Sequence, residues 1–213
     1  MSKSAGKAAN PVNGKIKSCL KTIMYRIDFM LFINFIVSPV SRLTTRRVLA
    51  LAAFLLLAGC TSAPEGVYPV DNFDLDRYLG KWYEIARLDH SFERGLSQVS
   101  AQYSLREDGG VAVLNTGYDA NKGEWKSAKG KAFFVADPET GHLKVSFFGP
   151  FYGAYVIVEL DPEYRYALVS GPNRGFLWIL ARAPELSQSE LDRLIARAAE
   201  LDFPTDDLIF VAH

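Results

Sequence analysis

Cysteine and histidine are nearly missing from this chain: Cys19 and Cys60, then His90, His142 and His213, in 213 residues. Two cysteines cannot staple a disulfide framework or build a cysteine-rich zinc site. Three widely spaced histidines lack metal-ligand spacing, so no metal and no cofactor is expected. Net charge is missing as well, with 24 Lys+Arg against 24 Asp+Glu. A nucleic-acid-binding domain would carry a basic excess. The sequence contains no Gly-x-Ser-x-Gly elbow, and the Asp206-Asp207 pair falls in turn-like sequence where solvated acids are common. With no nucleophile placed beside a base, the chain is not read as an enzyme.

The charge that is present is unevenly spread. Residues 1–59 hold nine Lys or Arg and one acid, Asp28, which leaves 60–213 with fifteen basic and twenty-three acidic residues. Arg46-Arg47 precedes the apolar run Val48–Leu57. That run is short of the about 20 residues a membrane-spanning helix needs. A positive n-region, an apolar stretch and small residues make a secretory signal. Leu57-Ala58-Gly59-Cys60 resembles the bacterial lipobox, in which the cysteine is acylated and the signal is cut before it. Cys60 is therefore the expected lipidation site, and several acyl chains anchor far more firmly than one. Thr61 follows where an Asp would signal inner-membrane retention, so the expected address is the bacterial outer membrane, on its periplasmic face. The residues around Arg46-Arg47 fit a twin-arginine export signal poorly. Ile23–Val37 is apolar but broken by Arg26, Asp28 and Asn34. It reads either as a second membrane segment or, preferably, as part of an over-long leader with translation starting at Met24 or Met30. The division is then 1–59 leader and signal, 60–67 lipidated tether, and 68–213 a folded domain.

That domain shows strand-length runs cut by turn residues about every ten positions, which points to an antiparallel sandwich or barrel. The strands are expected at Lys81–Leu88, Ser97–Glu107, Gly110–Tyr118, Lys126–Val135, His142–Phe148, Ala154–Leu160, Tyr166–Ser170 and Phe176–Ala181. Alternation is clearest where Val99, Ala101, Tyr103 and Leu105 share one face. Ala154-Tyr155-Val156-Ile157-Val158 is apolar on both faces, so its outer face should be covered. Ser187-Gln188-Ser189-Glu190 is a capping box, and Leu191, Leu194, Ile195 and Ala198 recur at helical spacing to about Leu201. Pro204 stops that helix, and Leu208–Val211 is a short terminal strand. The fold class is all-β with one C-terminal helix, an eight-stranded antiparallel up-and-down barrel whose interior is either packed or holds one small ligand.

Gly80-Lys81-Trp82, after Asn72–Leu79, resembles the lipocalin signature, and the eight strands and trailing helix occur in the order of that family. The resemblance spans 68–213. It implies that Trp82 plugs the closed end of the barrel and that Arg182, after Leu177–Ala181, lies across its ring. The chain departs from the family at the turn between strands six and seven, where Asp161-Pro162-Glu163-Tyr164 replaces Thr-Asp-Tyr. The anchored, acidic, short form, with Phe92–Gly95 and Val145–Gly153, most resembles bacterial outer-membrane lipoprotein lipocalins of the Blc type. That implies binding of fatty acids or lysophospholipids, and lipid storage or transport in envelope maintenance.

Lipocalin strand phasing puts Ala101, Tyr103, Val113, Asn115, Phe134, Val145, Phe147, Val169, Phe176 and Trp178 toward the cavity, with Tyr103 and Asn115 as polar points. An anionic head group would need a cation at the mouth, for which Arg87, Arg94 and Arg174 are candidates. The competing class is an adaptor lipoprotein with a packed barrel acting through protein contacts. Phe147–Tyr152, aromatic on both faces, would then be a self-association patch supporting a homodimer unless the helix covers it.

Overall fold

The computed structural model describes residues 61–213. The leader, the signal and Cys60 lie outside them. After a single helical turn α1 (Leu75–Tyr78), eight strands follow in order: β1 Gly80–Arg87, β2 Leu96–Leu105, β3 Val111–Asp119, β4 Glu124–Phe134, β5 His142–Ser146, β6 Gly153–Leu160, β7 Tyr166–Ser170 and β8 Leu177–Ala181. Each pairs antiparallel with the next, and β1 pairs with both β8 and β2, which closes the sheet. Closure removes the exposed edges that an open sheet would leave.

The outer cover is the C-terminal helix α2 (Gln188–Glu200). Ser187 Oγ accepts from the Glu190 backbone N–H and the Glu190 carboxylate accepts from the Ser187 N–H, so the capping box forms as the sequence indicates. Leu194 and Ala198 face a cluster formed by the outer sides of β6, β7, β8 and β1, among them Val156, Val158, Leu168, Ile179 and Ile85. This is why the late strands are apolar on both faces. The helix does not reach the Phe147–Tyr152 segment, where Phe148 and Phe151 are 80% and 69% exposed. Ser187→Ala is expected to cost about 1 kcal/mol, seen as a lower urea midpoint.

A two-residue strand, β9 (Ile209–Phe210), pairs with the end of β1. Val211 N–H donates to Ile85 O, and Gln98 N–H donates to Ala212 O. The C-terminus thus fills the gap where β2, bulged between Ser97 and Ser100, diverges from β1.

The closed end is built around Trp82, which has no exposed surface. Its indole N–H donates to Tyr78 O at 2.8 Å. The Arg182 guanidinium lies 4.0 Å above the ring centroid and donates to Lys81 O, Arg77 O and Tyr164 O. Gly80 has φ +99°, and a Cβ there would lie 3.2 Å from Arg182 Nη1, so the chain needs glycine at that turn. The turn Asp161–Tyr164, where the chain departs from the family, ties the barrel to α1: Tyr164 O–H accepts from Asp74 N–H, and the Arg77 guanidinium stacks 4.1 Å over the Tyr164 ring.

Residues 61–67 lie against the barrel. Val67 is buried in the outer cluster with Ala63 packed beside it, and the Glu65 carbonyl accepts from Arg174. The Thr61 carbonyl accepts from His142 Nε2 at 2.9 Å. Within 61–213 the sheet closes on itself and carries one hydrophobic cluster inside the barrel and another beneath α2, which is the content of a unit that folds on its own.

Candidate functional site

Above the Trp82 plug the barrel is not filled. A cavity of about 270 Å3 opens between the strands, just under the usual span of small-molecule sites. Phe73, Leu75 and Tyr78 form its floor. Ala101 and Tyr103 of β2, Val111, Val113 and Asn115 of β3, Ala132 of β4, Leu143 and Val145 of β5, Tyr155 of β6, and Trp178 and Leu180 of β8 form its walls. Phe92, Glu93, Phe147, Pro172 and Phe176 come from the loops at the other end and frame the mouth.

Ala101, Tyr103, Val113, Asn115, Val145, Phe147, Phe176 and Trp178 therefore stand on the cavity surface. Phe134 and Val169 do not. Both turn inward, but Phe134 packs edge-on against Phe73 at 6.1 Å, and Val169 is fully buried within the inner cluster. Period-two alternation fixes which side of the sheet a residue takes, not how far along the barrel the cavity extends.

The mouth carries a buried polar cluster. Arg87 Nη1 donates to Glu84 Oε1 at 2.6 Å, and Nη2 donates to the Glu93 carbonyl at 2.8 Å. His90 Nε2 lies 3.0 Å from Glu93 Oε2, and the Trp178 indole N–H donates to the same oxygen at 3.3 Å. The His90 ring stacks on Phe92 at 4.0 Å. Glu84 and Glu93 both face the cavity. The loop between β1 and β2 thus folds over the mouth with its acid turned inward.

Arg87 is inside because β1 bulges between Glu84 and Ala86. From Trp82 and Glu84, simple alternation would send residue 87 outward. The bulge shifts the phase by one and brings its guanidinium in. This corrects the expectation of a head-group cation at the mouth. Arg87 is 2% exposed and committed to Glu84 and loop carbonyls. Arg94 is an exposed fork on Asp89, and Arg174 donates to Leu201 O and Glu65 O. Each of the three already donates to protein acceptors, and the Arg87 Nε, which has none, is buried rather than set out as an exposed cation.

Burial, then the neighbouring Glu93, hold the Glu84 carboxyl well above its usual range despite Arg87. Glu93 goes the other way: burial pushes it up, but the His90 ring beside it and the Trp178 N–H outweigh burial and hold it below its usual range. One guanidinium serves both carboxyls, and the one without the His90 ring beside it holds its proton more tightly. A carboxyl whose pKa rises on folding stabilises fully below its unfolded value and loses that contribution as pH rises toward the folded one. Glu84→Gln keeps the neutral shape and cannot ionise. It is expected to match the parent near about pH 4 and to gain on it as pH rises, measured as urea midpoints across pH; a parent that gains on the variant would contradict the assignment.

On the floor side, three phenols meet. Tyr78 and Tyr155 hydroxyls are 2.8 Å apart, and Tyr103 and Tyr155 hydroxyls 2.9 Å apart. Glu84, Glu93, Tyr78 and Tyr155 are cavity residues that alternation alone did not single out. Glu84 is an acid in a strand read for its apolar residues, Tyr155 lies in a strand apolar on both faces, and Glu93 and Tyr78 lie outside the strands, in the loop after β1 and on α1.

A family model described as a lipocalin-like domain matches residues 73–213. The chain is 57% identical over 167 residues to the outer membrane lipoprotein Blc of Vibrio cholerae, covering 78% of this chain and 98% of that protein. It is 53% identical over 164 residues to the protein of the same name in Escherichia coli K12, covering 76% and 92%. Among solved structures, insecticyanin from the tobacco hornworm Manduca sexta superposes with a TM-score of 0.58 at 20% identity, over 72% of this chain and 87% of that one. That likeness shows the barrel fold alone.

Proposed function

The chain belongs to the lipocalin family, a family of binding proteins rather than enzymes that hold small hydrophobic ligands, and on that premise we propose that it is a lipid-anchored carrier of fatty acids or lysophospholipids in the bacterial outer membrane. The observation that carries this reading is the apolar cavity, closed below by Trp82 and framed above by Phe92, Phe147 and Phe176. Each methylene moved from water into such a space is worth about 0.8 kcal/mol, against the cost of fixing the chain and the ligand. Anchoring rests on the lipobox-like sequence ending at Cys60 and on relatives named outer membrane lipoproteins. The chain would then store or pass acyl chains in upkeep of the envelope.

The polar end of the ligand meets Glu84, Glu93 and Trp178 rather than a free arginine. That favours a head group that leaves through the mouth into water over one clamped as an anion. The adaptor reading requires a packed barrel, and an open space of about 270 Å3 speaks against it.

The test is native mass spectrometry of residues 61–213 purified without detergent, followed by extraction and identification of bound lipid. A stoichiometric fatty acid or lysophospholipid is expected. A protein that is empty and also fails to take up an environment-sensitive acyl probe would overturn the carrier reading. The exposed Phe148 and Phe151 would then be the place to seek a protein partner or a second copy.

A further inference from the structure

An acyl chain needs no hydrogen bonds, yet the cavity offers them. Tyr78, Tyr103 and Tyr155 all line it, and their hydroxyls form a row with Tyr155 in the middle. Three phenols bring three protons, and the two bonds between them use two. One O–H is left to donate, and the room beside it is the cavity. Burial, the largest influence on each of the three, holds every phenol above its ordinary range, so none ionises near neutral pH and the count stands. Under a plain hydrocarbon chain that last donor would stay unpaired, which a buried group avoids when it can.

A second observation lies on the adjacent strand. Tyr103 pairs with Val113 and Ala101 with Asn115, which makes Asn115 the diagonal neighbour of Tyr103 on the same inward face. Asn115 lines the cavity, and its Oδ1 is buried without a donor. A half-turn about the broad terminal torsion exchanges the two ends of the amide, so Asn115 can offer its oxygen to a partner in the cavity. The wall thus presents an O–H without an acceptor and a carbonyl without a donor. Among simple oxygen functions a hydroxyl answers both, since it accepts and donates. A ketone or ether answers only the first, and a carboxylate would ask for more donors than the one the phenols can spare.

We propose that the cavity selects acyl chains that carry a hydroxyl group along the chain, held between the Tyr78–Tyr155–Tyr103 row and Asn115. This rests on the carrier reading and sharpens it from fatty acids in general to hydroxylated ones.

The experiment displaces a fluorescent acyl probe from residues 61–213 with octadecanoic acid and with its monohydroxy isomers, the hydroxyl moved along the chain. A merely greasy cavity predicts that every isomer binds more weakly than the parent acid, because a hydroxyl costs free energy to bury unpaired. The proposal expects one or a few neighbouring isomers to bind about three- to tenfold tighter than the parent acid, the worth of one net hydrogen bond. Tyr155→Phe breaks both bonds of the row and leaves Tyr78 and Tyr103 each with an O–H to spare, so the preference is expected to move to another position along the chain, read as the ratio of each isomer's affinity to the parent acid's within the variant. Asn115→Val, which leaves the phenol row intact, is expected to reduce the preference. Parent acid that binds while no isomer exceeds it overturns this proposal alone, as does a preference whose position and size are unchanged in both variants. Failure of every acid to displace the probe overturns the carrier reading along with it.

Discussion

Trp82→Ala is expected to lower the free energy of unfolding by about 3–5 kcal/mol, the range for emptying a large aromatic site in a core. The indole has no exposed surface, packs 4.7 Å from the Tyr78 ring and is capped by Arg182. Its removal leaves three things unmatched: a void at the closed end, a Tyr78 carbonyl without its donor, and a guanidinium without its aromatic face. The measurement is the urea midpoint of residues 61–213. Arg182→Lys should cost less, about 1–2 kcal/mol, since it keeps the charge but loses the planar fork that reaches Lys81 O, Arg77 O and Tyr164 O together. A Trp82→Ala protein as stable as the parent would mean that the barrel does not depend on its plug.

Arg87→Met is the second large effect, also expected at about 3–5 kcal/mol, because it removes the one guanidinium set among two buried carboxyls and leaves both of them behind. Met keeps much of the volume, so the loss reports charge and hydrogen bonding rather than a cavity. Two consequences separate it from a packing defect. Arg87 is the cation that draws the Glu84 carboxyl down, so without it the loss should grow as pH rises, and Glu84→Gln in the same chain should recover part of it at the higher pH. The loop from Leu88 to Gly95 also loses the guanidinium that holds the Glu93 carbonyl. Amide hydrogen exchange should therefore rise in that loop before it rises in β5 or β6. A uniform rise across the barrel would argue against a local latch.

Much of this architecture can be read from the chain itself. Turn residues spaced about every ten positions mark eight strands, and the Ser187–Glu190 box marks the start of the helix. The Gly80-Lys81-Trp82 motif with Arg182 marks which end is closed. Those signals are local, or depend on one residue type that geometry demands. What alternation could not carry was phase and height. A single bulge in β1 moved Arg87 from an expected outer position to the interior, and with it the electrostatics of the mouth. Strand tilt left Phe134 facing inward but below the cavity, against Phe73. The phenol row joins α1, β2 and β6, segments whose contact is set only once the barrel closes. Long-range pairing of this kind has no period to detect.

The bond between His142 Nε2 and the Thr61 carbonyl bears on how the molecule sits. Thr61 is one residue after Cys60, and one residue spans about 3.8 Å. Thr61 itself is held on the barrel wall, at the start of β5. A protein on a long leash swings through a hemisphere above its membrane and meets lipids at every angle. Residues 61–67 are instead fixed like a bracket, at His142, at Arg174 and in the outer cluster, so a pull on this segment is shared between β5 and the wall beneath α2.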